Sequence, residues 1–281
     1  MKLDLTAAHL LMVTGGICAG AREGAGEIAP WPGEAGEYHG YERHDFTLDG
    51  CACTVVLPTA ALPGRPWIWR AEFFDAFPQI DLALLKEGFH LAYMNVGNTF
   101  GCPSAMAHFD VFYETLVNRH GLMERVVLEG LSRGGLYVYH WGASHPDKVA
   151  CILGDNPVCD IKSWPAGRGR APGSPNDWKK LIADYGFRDE AEALAYDRNP
   201  LDWAILKPLA ERRVPLLHIC GDADEAVPYE ENTAILRERY EQLGGPITVI
   251  IKPGQKHHPH GLEDPAPAVA FIREAVYGKP R

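Results

Sequence analysis

Val126-Val127-Leu128-Glu129-Gly130-Leu131-Ser132-Arg133-Gly134-Gly135 joins an apolar run to a serine set among glycines, and the helical pattern Leu136–Ala143 follows at once. The run is short and bounded, as a buried strand is, so the stretch reads as strand, sharp turn, helix. A chain that reverses this tightly tolerates little side chain beside the turn, and glycine at 130 and 134 fits that need. The serine hydroxyl is then lifted above the strand ends. The helix that starts there presents free N–H groups and the positive end of its dipole, a suitable place for an oxyanion. The competing reading is a serine that merely caps the helix.

On either side of this stretch, short apolar runs alternate with longer amphipathic patterns, the signature of βαβ units. Strands are predicted near Tyr38–Leu48, Cys51–Pro58, Pro66–Arg70, His90–Val96, Arg125–Glu129, Val149–Asp155, Val214–Cys220 and Ile247–Lys252. Asp49-Gly50 between the first two is a hairpin signal, so these two pair antiparallel, and the rest read as parallel. Helices are expected at Phe74–Glu87, Ala105–His120, Arg133–Ser144, Glu230–Leu243 and Pro265–Val276. The fold class is α/β: a mostly parallel eight-stranded sheet with helices on both faces. Residues 156–213 interrupt the rhythm after the sixth strand and carry Trp164, Trp178 and Trp203. They read as a helical cap inserted in a catalytic domain spanning 31–281.

A serine hydroxyl becomes nucleophilic only when a base takes its proton and an acid orients that base. The strand Val214–Cys220 runs into Gly221-Asp222-Ala223-Asp224, which places Asp224 at the same sheet edge as Ser132. Asp224 is the expected acid. Asp222 suits a loop-bonding role, and Asp155 at the end of the preceding strand is a rival. After Ile247–Lys252 comes Gly254-Gln255-Lys256-His257-His258-Pro259-His260. His257 is the preferred base, with His258 and His260 as competitors. The backbone N–H of Arg133 and one from the Arg70-Ala71-Glu72-Phe73 loop, Ala71 or Glu72, are the expected oxyanion donors. Arg70 and Trp164 are candidate substrate contacts. For Arg70 an ion pair with a local acid is the alternative, and for the tryptophans burial in the cap. A zinc site from His257 and His260 lacks a third ligand at metalloenzyme spacing, so neither a metal nor an organic cofactor is expected.

Composition limits the partners. The 281 residues are 46% hydrophobic and 23% charged, enough for a sizeable core. A net charge of −10 disfavours nucleic acid and anionic lipid, which require a basic face. The seven cysteines show no CxxC spacing and no disulfide framework. Leu5–Ile17 with Ala19-Gly20-Ala21 has the length and cleavage-site look of a signal peptide, though Lys2 is offset by Asp4 and His9 interrupts the run. Residues 1–30 are thus a signal peptide or a flexible N-terminus. The protein is secreted or periplasmic on the first reading and cytoplasmic on the second. No run is long enough to span a membrane, and oligomeric state has no signature here.

The order Ser132, Asp224, His257 over this pattern resembles the α/β-hydrolase superfamily from Pro66 to about Val276. Trp67-Ile68-Trp69-Arg70-Ala71, Gly130–Gly135 and His257-His258-Pro259-His260-Gly261-Leu262 look like a group of bacterial hydrolases linked to polysaccharide breakdown. That resemblance implies a carbohydrate esterase that removes acetyl or similar groups through an acyl-enzyme. The expected partner is a small-molecule or carbohydrate ester. A peptidase or C–C hydrolase on the same scaffold, and a non-catalytic binding protein of this fold, are the alternatives.

Overall fold

The computed structural model describes residues 28–278; the signal-peptide reading of Leu5–Ile17 lies outside them. Among the described residues nine strands form one sheet: β1 (Glu34–Tyr38), β2 (Tyr41–Leu48), β3 (Cys51–Val56), β4 (Trp67–Arg70), β5 (His90–Asn95), β6 (Val126–Leu131), β7 (Val149–Asp155), β8 (Leu216–Gly221) and β9 (Ile247–Lys252). Their spatial order is β1-β2-β3-β5-β4-β6-β7-β8-β9. The pairs from β5 through β9 are all parallel. The Asp49-Gly50 hairpin forms with Leu48 opposite Cys51 and with positive φ at both turn residues, 52° and 78°, as a two-residue primed turn requires.

Two features differ from the sequence expectation. The sheet has nine strands because β1 adds a second hairpin through His39-Gly40. Its sequence, Glu-Ala-Gly-Glu-Tyr, is exposed except at Tyr38, so it carries no apolar alternation to reveal it. In addition, β3 runs antiparallel to β5, which extends the antiparallel part of the sheet up to the parallel core.

Among the described residues the α-helices are α1 (Gln79–Lys86), α2 (Pro103–Asn118), α3 (Gly134–Ser144), α4 (Pro175–Tyr185), α5 (Glu190–Leu194), α6 (Trp203–Glu211), α7 (Thr233–Gln242) and α8 (Ala266–Tyr277). Strand side chains alternate between two cores, one on each face. Trp67, Trp69, Val126, Leu128 and Ile152 pack with α2, α3, α6 and α7, while Ile68, Val127, Ala150, Cys151 and Leu153 pack with α1 and α8. The first core is rich in large rings: Trp69 lies 5.1 Å from Trp141 and 4.6 Å from Phe109, centroid to centroid. Within 156–213, α6 packs against α3 on the face of the sheet, as a β7–β8 crossover helix does. Residues 74–78, expected to begin the first helix, continue instead a turn in which Phe73, Asp75 and Phe77 take positive φ. Among the described residues no helix is long and apolar enough to cross a membrane.

Candidate active site

Ser132 sits between β6 and α3 with φ +50°, a left-handed conformation that non-glycine residues rarely adopt. Its N–H donates to the Asp155 carbonyl at 2.9 Å, and its carbonyl accepts from Val158 N–H at 2.8 Å. These bonds tie the turn to the end of β7. The glycine requirement is real but falls at 130 and 135. A Cβ on Gly130 would stand 2.6 Å from the Gly134 carbonyl oxygen, and one on Gly135 would stand 2.7 Å from that of Val158. At Gly134 the added carbon would meet only ordinary contact, 3.6 Å from Cβ of Glu72, which corrects the expectation of a collision there.

Three residues far apart in sequence converge at this turn. Ser132 Oγ lies 2.9 Å from His257 Nε2, and His257 Nδ1 lies 2.6 Å from Asp224 Oδ2. The hydrogen-bond pattern assigns the proton to Nδ1, which donates to the carboxylate and leaves the Nε2 lone pair for the serine hydroxyl. Asp224 follows β8, and its other oxygen accepts the backbone N–H groups of Ala226 and Val227, each at 2.8 Å. Its side chain is only 1% exposed, so the carboxylate is fixed on both sides. A line of this kind can move a proton off an alcohol as the alcohol attacks a carbonyl.

Loop contacts hold His257 in place. Asp222 accepts Gly254 N–H at 2.6 Å, and Ala223 N–H donates to the Gln255 carbonyl at 3.0 Å. Asn156 bridges from β7: its amide donates to the His257 carbonyl at 2.9 Å and its oxygen accepts Gly221 N–H at 2.8 Å. The rival acid Asp155 pairs instead with His260, whose Nδ1 donates to it at 2.7 Å, and it also accepts Gly261 N–H. Asp155 and His260 therefore anchor the loop beside the serine. Asn156 escaped the sequence reading because only its position, next to Asp155 at a strand end, hints at the role.

Among the remaining candidates, Arg70 and Trp164 follow the alternatives of ion pairing and packing instead of substrate contact, and Ala71 departs from its expected role. Arg70 is completely buried. It donates to Asp81 at 2.5 Å and lies 3.3 Å from Glu129, while its other nitrogens donate to the carbonyls of Phe73 and Ala76. It cannot reach a substrate; it braces the turn that carries Phe73 and Phe77 from below. Burial, reinforced by the nearby Asp81 carboxylate, pushes the Glu129 carboxyl well above the usual carboxylate range. Ala71 is also unsuited to its expected role, because its N–H already donates to the Glu129 carbonyl at 3.0 Å as the sheet ladder runs on. Trp164 is half-buried, tilted against Phe100 at 6.1 Å and packed on the main core, so it is a packing residue. Trp178 is buried as well, and Trp203 is 45% exposed beneath Arg239.

Arg133 N–H, at the start of α3, has no hydrogen-bond partner among the described residues. The Arg133 side chain reaches across to Glu72 at 2.5 Å and lies over the Phe73 ring at 4.7 Å. This pair clips the loop after β4 to the serine turn. Burial raises the Glu72 carboxyl, against the pull of Arg133. Phe73, Ala76, Phe77 and Leu131 join Ser132 and the three histidines around a cavity of about 190 Å³.

A mostly parallel sheet flanked by helices, with serine, histidine and aspartate meeting at its edge, defines a serine hydrolase of the α/β-hydrolase fold. The chain belongs to the prolyl oligopeptidase family, whose sequence pattern matches residues 111–276, more than half of the chain. Among solved structures, a puromycin hydrolase S511A mutant superposes with a TM-score of 0.64 at 16% identity, over 84% of this chain and 39% of its own. Est1E from Butyrivibrio proteoclasticus gives 0.61 at 16% identity, over 83% of this chain and 98% of its own. The acylaminoacyl peptidase of Pyrococcus horikoshii gives 0.59 at 16% identity, over 78% and 38%. The chain thus spans about two fifths of the two larger enzymes and nearly the whole extent of Est1E. No curated protein sequence matches it.

Proposed function

We propose that this protein is a serine esterase that removes small acyl groups, acetyl foremost, from carbohydrate alcohols by two-step acyl transfer. The observation that carries the reading is the Ser132 hydroxyl at 2.9 Å from His257 Nε2, facing a cavity of about 190 Å³. Ser132 Oγ attacks the ester carbonyl while its proton passes to His257 Nε2, and Asp224 stabilises the imidazolium that forms. The oxyanion takes the N–H of Arg133 and a second N–H from Glu72 or Phe73, the residues that follow the engaged Ala71. His257 then protonates the departing alkoxide, and water, deprotonated by the same imidazole, releases the acid. A ligand pocket that encloses a whole drug-sized molecule measures about 300–1,000 Å³. The cavity at Ser132 is smaller and apolar on the Phe73, Ala76, Phe77 and Leu131 side, which suits the acyl part alone. On the loop after β8 an open cleft of about 710 Å³ is bordered by Arg170, Asp222, Glu225 and Glu230, groups able to bond sugar hydroxyls.

A peptidase is the second reading, favoured by membership of the prolyl oligopeptidase family and by the puromycin hydrolase and acylaminoacyl peptidase likenesses. A panel of p-nitrophenyl acetate, p-nitrophenyl octanoate, acetylated xylan and peptide amides separates the two. The esterase reading predicts release of acetate from xylan and a kcat/KM for the acetyl ester at least about 10²-fold above the octanoyl ester, the scale of discrimination a tight pocket gives. Cleavage of peptide amides with a kcat/KM equal to that of the acetyl ester would overturn it in favour of the peptidase.

A further inference from the structure

His257, His258 and His260 place one ligand nitrogen each within 4.8 Å of the others. Their rings stand at 4.9 Å centroid separations and at 70–80° to one another, so three imidazole edges converge on one region beside Ser132. Two of the three are already prepared as metal ligands. His257 gives its Nδ1 proton to Asp224 and His260 gives its Nδ1 proton to Asp155, both to carboxylates that are almost wholly buried. Each is thereby held in the tautomer whose Nε2 carries a lone pair. Carboxylate, histidine and metal in series is the arrangement that orients imidazole ligands in zinc sites. His258 is the exposed third member, and no hydrogen bond competes for its nitrogens among the described residues. Sequence spacing concealed the set, because adjacent positions on a loop do not follow the helix-based spacing of metalloenzyme motifs.

We propose that these three histidines bind a divalent zinc ion, and that the bound ion switches the hydrolase off. Imidazole nitrogens suit this borderline-soft cation, which takes four ligands at about 2.0–2.1 Å from nitrogen in tetrahedral geometry. Three nitrogens around it would stand about 3.3 Å apart. The histidines therefore close inward by under about 1 Å each, within reach of side-chain rotation on a loop. The fourth position falls to water or to Ser132 Oγ. Inhibition follows from valence: the Nε2 lone pair of His257 accepts either the serine proton or the metal, and it cannot do both. Nothing is oxidised or reduced, and a chelator reverses the state. The switching half of the proposal depends on the catalytic reading of Ser132 and His257, whereas the binding half does not.

The test uses the whole chain freed of metal by chelation, with zinc chloride as the probe. Calorimetry is expected to show one zinc ion per chain, and p-nitrophenyl acetate turnover to fall with the same midpoint and return with EDTA. His258→Ala, a change at an exposed loop position, is expected to weaken zinc binding at least about 10-fold, the scale on which lost coordination partners act. Its inhibition midpoint, measured against its own metal-free rate, moves by the same factor. Ser132→Ala abolishes turnover yet keeps zinc affinity within a few-fold, which separates the two halves. Absence of stoichiometric binding in the wild type, or unchanged affinity in His258→Ala, overturns the site. Zinc binding without loss of turnover overturns the switch. A wild type that binds zinc but never hydrolyses esters or amides supports the site and removes the catalytic reading.

Discussion

Asp224→Asn is expected to lower kcat on p-nitrophenyl acetate by about 10⁴-fold, roughly 5 kcal/mol of barrier, with little change in thermal stability. The reason is the pair of backbone donors behind the carboxylate. Ala226 and Val227 N–H groups both point at Oδ1, so an asparagine must keep its carbonyl oxygen there and turn its NH₂ toward His257. Two donors would then face each other across 2.6 Å. His257 escapes by moving its proton to Nε2, and the nitrogen facing Ser132 can no longer accept a proton. Steady-state kinetics check this, and a loss of less than tenfold would show that Asp224 does not set the tautomer.

The second large effect is on stability. Arg70→Met should cost about 3–5 kcal/mol, the range seen when one partner of a buried ion pair is removed. In a chain of this size the midpoint of thermal unfolding would drop by about 10 °C. The guanidinium lies with no solvent exposure against Asp81, which is equally buried, and its loss strands that carboxylate. Glu129, whose carboxyl burial pushes well up, can remain as the neutral acid. Removing the stranded charge as well, in Arg70→Met with Asp81→Leu, should recover most of the loss, since apolar replacements for a whole buried pair are often neutral. Denaturant unfolding of both variants measures it. A single variant within about 1 kcal/mol of wild type would contradict the assigned role.

These two cases mark what a sequence can and cannot reveal here. Ser132 was legible because a strand, a glycine-flanked serine and a helix follow one another without a gap, and local order dictates local geometry. Asp224 and His257 were legible because residues just beyond parallel strands share one sheet edge. The choice among His257, His258 and His260 needed coordinates, since adjacent loop residues differ only in direction. From sequence Arg70 reads as a substrate contact or as the partner of a nearby acid such as Glu72, whereas the acids it meets, Asp81 and Glu129, lie 11 and 59 positions away. Ala71 failed as a donor for a similar reason: its N–H continues the ladder to β6, and register is a property of two strands. Strand β1 was hidden by its polarity, being an exposed edge rather than a core element.

Labelling with a fluorophosphonate probe, followed by peptide mass spectrometry, tests whether His257 activates Ser132, because the reagent phosphonylates only a serine whose neighbours have made it nucleophilic. One adduct per chain is expected, on Ser132, and none in His257→Ala. An unlabelled Ser132 in the folded wild type, or equal labelling after His257 is removed, would contradict that activation.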